Sequence, residues 1–274
     1  MQKLAVITVV YNNYDVLTDF FQSFGAQTDT AFRLWIVDTS TQPRTIAIPE
    51  YSTLLKIDNR GYAGGVNAGI AAARKAGYTQ FCVINSDVTV ASNFIATAKE
   101  VLTRNSGSLT GGKIYYAPGY EFHDGYSPEE KGKVLWYAGG VIDWDHVHVS
   151  HIGVDQVDHG QFDTAGVTGF ITGCLMLYDI SVFNRIGDWD ESYFLYYEDT
   201  DYCMRATRKG IPLRYEPSLV IWHKNAQSTG GSGSKLHTSY QERNRVRFAL
   251  KYAPLKTKFH VVKNAILRAI GLSR

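Results

Sequence analysis

Apolar runs and polar breaks alternate with a regular rhythm over the first hundred residues. Leu4 to Val10 is an apolar, β-branched run, as expected of a buried parallel strand. Tyr11-Asn12-Asn13 breaks it. From Tyr14 to Gln27 the apolar residues Val16, Leu17, Phe20, Phe21 and Phe24 fall at helical spacing. Further strands are expected at Arg33 to Asp38, Leu54 to Ile57 and Phe81 to Ile84, and helices at Tyr62 to Ala76, closed by Gly77, and Asn93 to Arg104. Strand followed by helix, repeated, predicts right-handed crossovers and a parallel sheet covered on both faces. Ligands of such sheets bind beyond the carboxyl ends of the strands. Polar clusters fall at those ends, at Tyr11 to Asn13, Asp38, Asn59 to Gly61 and Asn85 to Asp87.

After Leu109 the rhythm changes. Leu109 to Tyr116 reads as a strand, and the polar, Gly- and Pro-containing segment Ala117 to Lys133 as a mobile loop. Val134 to Ser150 alternates around Gly139-Gly140 and predicts a β-hairpin. Gly169 to Leu177 and Leu213 to Trp222 read as strands, the second ending at His223, and Gly230 to Ser234 as a flexible linker. Helices are expected from about His237 to Tyr252 and from about Leu255 to Ile270. Between the last two strands lies the densest polar stretch, Gly187 to Arg208. It carries Asp188, Asp190, Glu191, Glu198, Asp199 and Asp201 around Tyr193, Phe194, Tyr196 and Tyr197. Its second half predicts a helix, with acids in the first turn and Arg205 and Arg208 in the last, before Gly210. Acids wedged among aromatic rings are partly desolvated, which raises a carboxylate toward general-base range. First-turn acids of a solvated helix fit the same pattern.

Composition narrows the class. The 274 residues are 45% hydrophobic and 20% charged, as in a globular protein. The net charge of +2 hides an asymmetry: nine Lys or Arg and no Asp or Glu fall between Arg243 and Arg274, which leaves −7 on the first 242 residues. Such a tail points to an anionic partner. Cys82, Cys174 and Cys203 lie far apart in apolar or helical contexts, so reduced, buried thiols and a cytoplasmic location are expected. The N-terminal apolar run is too short for a signal peptide, and no stretch reaches the ~20 apolar residues of a membrane span.

Several residues are suited to chemistry. Asp38 at a strand end suits a ribose or base N–H, or a turn cap. Asn59 to Gly69, N-R-G-Y-A-G-G-V-N-A-G, is glycine-rich at a strand-to-helix junction and suits a phosphate. It lacks the G-K-[ST] ending of a Walker loop and misses the dinucleotide spacing. Asn85-Ser86-Asp87 is a degenerate Asp-x-Asp, with one full carboxylate for a hard cation on a diphosphate. His223 reads as a core histidine unless its strand lies beside Asp87.

In order, V-I-T-V-V-Y-N-N, V-D-T-S, N-R-G-Y-A-G-G-V-N-A-G, V-I-N-S-D-V, W-Y-A-G-G, T-G-C-L-M-L, the Gly187 to Arg205 stretch and Y-Q-E-R-N resemble the family-2 inverting glycosyltransferases, in particular their rhamnosyltransferase-like branch. The resemblance spans about Leu4 to Asn244. It implies an α/β GT-A fold with a mostly parallel central sheet and a C-terminal helical extension. The expected division is a transferase domain over 1–235, with a nucleotide half (1–112) and an acceptor half (113–235), followed by a basic extension over 236–274. Thr8, Tyr11 and Asp38 would hold the donor nucleoside. Asn59, Arg60, Gly61 and Asn67 would line its nucleotide and diphosphate, beside Ser86. Asp87 would hold Mg²⁺ or Mn²⁺, with His223 as second ligand. Asp199 would be the base, and Trp136, Asp190, Glu191 and Glu198 would shape the sugar and acceptor pocket. Asn85 departs from the family, where many members carry Asp.

The resemblance also implies a nucleotide-sugar donor, with dTDP-L-rhamnose first and UDP-galactofuranose, UDP-GlcNAc, UDP-glucose or UDP-galactose as alternatives. The implied acceptor is a cell-surface glycan or polyprenyl-linked precursor. A non-catalytic glycan- or nucleotide-binding module of the same fold is the competing class. The basic tail reads either as a helix on the inner face of an anionic membrane or as a helix packed on the domain. Nucleic acid is not expected as a partner, because the tail carries no nucleic-acid motif. The oligomeric state, homodimer included, is open.

Overall fold

The computed structural model describes residues 3–225 and 235–269. In chain order the elements are β1 (Leu4–Val10), α1 (Leu17–Gly25), β2 (Phe32–Asp38), β3 (Ser52–Lys56), α2 (Gly61–Lys75), β4 (Gln80–Ile84), β5 (Val88–Val90), α3 (Phe94–Arg104) and β6 (Leu109–Tyr116). They continue with β7 (Leu135–Tyr137), β8 (Gly140–Asp143), β9 (His148–His151), β10 (Gly166–Val167), β11 (Leu175–Asp179), α4 (Ile180–Ile186) and a 3-10 turn at Glu191–Tyr193. The last are α5 (Glu198–Arg208), β12 (Leu213–His223), α6 (Lys235–Tyr252) and α7 (Leu255–Ala269). The expected glycine-serine linker lies outside the described residues, as does the end of the basic tail.

Eight strands form one path, in the order β10-β12-β6-β11-β4-β1-β2-β3, with β5 added on β12 and β7 on β6. Strands β4, β1, β2 and β3 are mutually parallel, and β6 is parallel to β12. Between these groups β11 runs antiparallel to both β4 and β6, so the sheet is mixed. Continuous apolar runs make the central strands: every residue of β4 is buried, and β1 has only Val9 part-exposed. Helix α2 lies close on this sheet because it is lined with glycine. A Cβ at Gly65 would fall 2.6 Å from Val9, and one at Gly69 would fall 3.1 Å from Val37. The main core collects the sheet with α1, α2 and α3.

Three sequence expectations are corrected. The hairpin lies at β8–β9, with Gly139 in the link between β7 and β8 and Gly140 as the first residue of β8, so the glycine pair is not its turn. Asp143 makes the turn by accepting from the Asp145 N–H at 2.9 Å. The strand expected from Gly169 begins only at Leu175, because the preceding residues bend toward the acidic stretch. Helix α1 is shorter than its apolar spacing implied, and β5 and α4 had no separate signal. Segment 117–133 is irregular but tied down: Glu121 accepts from the Gly119 and Gly132 N–H groups.

A second core gathers Val147, Tyr193, Tyr197, Phe248, Ala249, Ala253 and Val261. It packs α6 against the hairpin and against the aromatic run that precedes α5. The basic helix α6 is therefore docked on the domain. Helix α7 leaves Leu255, Phe259 and Ile266 exposed.

Candidate active site

The carboxyl ends of β2 and β3 frame a cavity of about 530 Å³ lined by Asp38, Ser40, Pro43, Lys56, Ile57, Asp58 and Arg60. Asp38 is buried at its wall and accepts from the Tyr14 hydroxyl at 2.9 Å and the Ser40 N–H at 3.0 Å. Tyr11, at the end of β1, is exposed, while Thr8 is fully buried beneath with no hydrogen-bond partner for its hydroxyl. The Asn59 side chain accepts from the Gly61 N–H at 2.9 Å, turning the chain into α2. Arg60 reaches from the cavity to Glu191, 3.2 Å away.

A second corner forms where β5 meets the end of β12. Asp87 Oδ1 lies 3.3 Å from His223 Nε2, and both side chains are buried. Burial alone would raise the Asp87 carboxyl. The charge and hydrogen bond of His223, with the charge of Lys224, outweigh it and leave the group below its ordinary value. His223 Nδ1 is buried without a partner. Trp136 stands edge-on between His223 and His151, with ring centres 4.6 and 4.4 Å away. Burial lowers His151 to about 4, so it stays neutral. No group of three or more His, Cys, Asp or Glu side chains suited to a metal occurs among the described residues. One carboxylate and one imidazole, whose Nδ1 has no partner, fit a hard cation only when phosphate oxygens and water complete its shell.

The third part is the acid pair that opens α5. Burial pushes both Glu198 and Asp199 up, and repulsion between them adds to the rise in Glu198, which reaches about 8. Their surroundings differ. Asp199 accepts from the Gly173 N–H at 2.8 Å, the Thr200 N–H at 2.6 Å and the Thr200 hydroxyl at 3.1 Å. Glu198 Oε2 is buried with no partner. The shared negative charge therefore rests on Asp199, and Glu198 keeps its proton at neutral pH. A charged, part-buried carboxylate fixed by two backbone N–H groups and a hydroxyl, yet still reachable, is equipped to take a proton from an acceptor hydroxyl.

The last two parts adjoin. The Asn85 N–H, two residues before Asp87, donates to the Cys174 carbonyl at 3.1 Å. The next residue back, Gly173, donates to Asp199. The Tyr62 hydroxyl donates to the Gly173 carbonyl at 2.9 Å. Burial first, then the charges of Cys174, Glu198, Asp199 and Asp87, push the Tyr62 phenol well above its ordinary value. Tyr62 thus senses both the cation corner and the acid pair.

Not every expected residue faces an open pocket. Asn67 is buried, and its amide is taken up by Trp189 N–H, Trp189 O and Glu191 Oε1, at 2.9, 3.0 and 3.0 Å. It ties α2 to the 189–191 segment. Asp190 caps the 3-10 turn through Ser192 and meets Lys251 at 3.1 Å. Ser86 is buried beside Asp87. Tyr62 and Gly173 were missed as site residues. Both lie inside motifs the sequence displayed, N-R-G-Y and T-G-C, but neither type advertises chemistry. A side chain at Gly173 would meet Asp199 Cβ at 3.4 Å.

Comparison with known proteins bears on the fold and the family. GalNAc-T7, solved with UDP, GalNAc and Mn²⁺, superposes with a TM-score of 0.64 at 14% identity, covering 89% of this chain and 48% of that one. S. aureus TarS superposes at 0.54 and 14% identity, over 100% of this chain and 44% of that one. These likenesses fix a GT-A-like fold. In sequence, the low-salt glycan biosynthesis hexosyltransferase Agl10 of Haloferax volcanii is 23% identical over 215 residues, 77% of this chain and 64% of that protein's length. An N-acetylglucosaminyl-diphospho-decaprenol L-rhamnosyltransferase of Mycobacterium tuberculosis is 39% identical over 62 residues, 23% of this chain and 20% of that one. The glycosyl transferase family 2 model matches residues 5–187, which hold most of the sheet, the nucleotide-side cavity and Asp87, and the chain belongs to that family.

Proposed function

We propose that this chain transfers a sugar from a nucleotide-diphospho-sugar to a hydroxyl acceptor, with inversion at the anomeric carbon. The observation that carries the reading is Asp199, a part-buried carboxylate held by three donors and joined through Gly173 and Cys174 to the Asp87–His223 corner. Asp199 takes the acceptor proton as the acceptor oxygen forms its bond to the anomeric carbon and the diphosphate leaves from the opposite face. One base suffices for a single displacement, unlike the carboxylate pair of glycosidases. Asp87 and His223 would hold Mg²⁺ or Mn²⁺, which neutralises charge on the departing diphosphate. The Mn²⁺ and UDP named with GalNAc-T7 support that choice of cofactor class. Tyr11, Asp38, Asn59, Arg60 and Gly61 frame the nucleotide, with Thr8 and Ser86 behind them. Trp136, Asp190, Glu191 and Glu198 shape the sugar and acceptor side, and Asn67 acts by holding Glu191.

The donor proposed is dTDP-L-rhamnose and the acceptor a lipid-linked glycan precursor. Support comes from relatives named L-rhamnosyltransferase and rhamnosyltransferase, which match this chain over short stretches. Helix α7 suits such an acceptor. Leu255, Phe259 and Ile266 stand 84%, 75% and 56% exposed, with Lys256 and Lys263 exposed nearby, a pattern matched to an anionic membrane surface. No helix among the described residues is long and apolar enough to cross a membrane.

The test is calorimetry and donor hydrolysis across dTDP-rhamnose and the four UDP-sugars, with Mn²⁺ or Mg²⁺ and again with EDTA. Cation-dependent turnover of dTDP-rhamnose alone is expected. Turnover of a UDP-sugar instead replaces the donor and keeps Asp199 as base. Tight glycan binding with no donor binding would make the chain a non-catalytic module.

A further inference from the structure

The backbone that delivers Asp199 runs through unfavourable conformations. Phe194 has φ 63° and ψ −55°, and the Leu195 N–H donates to the Tyr193 carbonyl at 2.8 Å, which closes a γ-turn of the rare, positive-φ kind. Tyr196 and Tyr197 follow with φ of 67° and 70°. None of the three is glycine, and bulky side chains rarely occupy this region. Tyr197 is also the residue immediately before α5, so its left-handed turn sets the direction in which Glu198 and Asp199 leave.

Such a run persists only where its surroundings over-determine it. One side chain does most of this. Asn244 of α6 is fully buried, and its amide nitrogen donates to the carbonyls of Tyr193, Leu195 and Tyr196 at 2.7, 2.8 and 2.9 Å. The carbonyl this set skips, that of Phe194, accepts from the Tyr62 N–H of α2 at 2.8 Å. Four successive carbonyls of the run are thereby held from two sides, three of them by Asn244. The Phe194 ring stacks on Tyr240, one turn earlier in α6, at 5.4 Å.

We propose that Asn244 is a positioning residue for the transfer reaction: its amide holds residues 193–196 in their left-handed path and so fixes the direction of the Asp199 carboxylate. The inference rests on the reading of Asp199 as the base. Asn244 touches no reacting atom. Its effect passes through the backbone of 193–197 to the first turn of α5. The geometry needs the N–H₂ group and not merely the volume, because three carbonyls face it. Aspartate in its place keeps the size and turns attraction into repulsion.

The experiment uses the full chain with Asn244→Ala, Asn244→Asp and the double variant Asn244→Ala/Tyr196→Gly. The probes are UDP and dTDP binding with Mn²⁺, and hydrolysis of dTDP-rhamnose and the UDP-sugars. Both single variants are expected to bind nucleotide within about twofold of wild type, at full stoichiometry. Their kcat should fall about tenfold to a hundredfold, the range for a misaimed catalytic group. Glycine at 196 tolerates positive φ, so the double variant should regain part of the lost kcat. A purely structural role predicts instead that binding stoichiometry and kcat fall together and that glycine restores nothing, which would overturn the proposal. Single variants with kcat within twofold of wild type would overturn it too. Wild-type protein that binds and hydrolyses no donor would remove the reading of Asp199 on which the inference stands, a result visible before any variant is made.

Discussion

Replacing Glu198 with glutamine should make the protein more stable at neutral and alkaline pH. In the folded protein this carboxyl is fully desolvated, leaves Oε2 unpartnered and keeps its proton up to about 8, against an ordinary value of 4.5. In the unfolded chain it ionises above 4.5. Between those limits folding must take up a proton, so stability falls as pH rises, by about 1.4 kcal/mol per pH unit. The loss amounts to about 3 kcal/mol at pH 7 and levels off above pH 8. The shift is opposite in sign to that of a salt-bridged acid, which loses stability on acidification. Glutamine cannot ionise, and the neutral acid and the amide are similar in size and polarity. Urea unfolding at pH 5, 6, 7 and 8 should therefore give a stability difference that is small at pH 5 and grows by roughly 1 kcal/mol or more per unit in favour of the variant. Parallel pH profiles for the two proteins would refute the placement of the proton on Glu198.

Three further outcomes follow from the geometry. Burial raises Asp199 above its ordinary value of 3.8, so the acid limb of a kcat/KM profile should lie above the ordinary aspartate range, with activity lost as pH falls through the folded value. A limb in the ordinary aspartate range would argue against a desolvated base. Gly61→Ala places a side chain against the Phe194 backbone, 2.6 Å from its Cα, at φ of 80°. It should destabilise the protein by about 2–4 kcal/mol in chemical unfolding, whereas an open glycine such as Gly77, also at positive φ, should cost only about 1 kcal/mol on the same substitution. Asp201→Asn removes the charge that Arg205, Lys251, Tyr193 and Tyr252 all face, with Arg205 Nε at 2.9 Å and the Tyr252 hydroxyl at 2.7 Å. Because Lys251 and Arg205 are part-exposed, the expected loss is about 2 kcal/mol rather than that of a fully buried pair.

The parts that local pattern determines were legible in the chain. The strand from Leu4 to Val10 and the start of α5 at Glu198 fall where the sequence put them, because a β-branched apolar run and a cluster of first-turn acids each admit one local solution. Polar clusters at Asp38, Asn59 and Asp87 do gather at the carboxyl end of the sheet. What sequence could not display were interactions closed by distant segments. Asn67 sits inside a glycine-rich motif that suits phosphate, yet its amide is spent on Trp189 and Glu191, more than a hundred residues away. Gly139-Gly140 resembled a hairpin turn, but β7 had already paired with β6, leaving the turn to Asp143. The left-handed run at Phe194, Tyr196 and Tyr197 carries residues that no local rule would place at positive φ, and it is held by distant groups, Asn244 and Tyr62 foremost.

The central claim is that Asp199 removes the acceptor proton. Its most direct test is Asp199→Asn in the full chain, with nucleotide binding and donor turnover measured on the same preparation. Asparagine keeps an oxygen for the two Thr200 donors and gives up only the acceptor for the Gly173 N–H, none of which lines the nucleotide cavity, so nucleotide affinity should stay within about threefold of wild type. Turnover should drop by about a thousandfold, the scale of a lost general base. A variant that binds nucleotide normally and keeps more than a tenth of wild-type turnover would contradict the account.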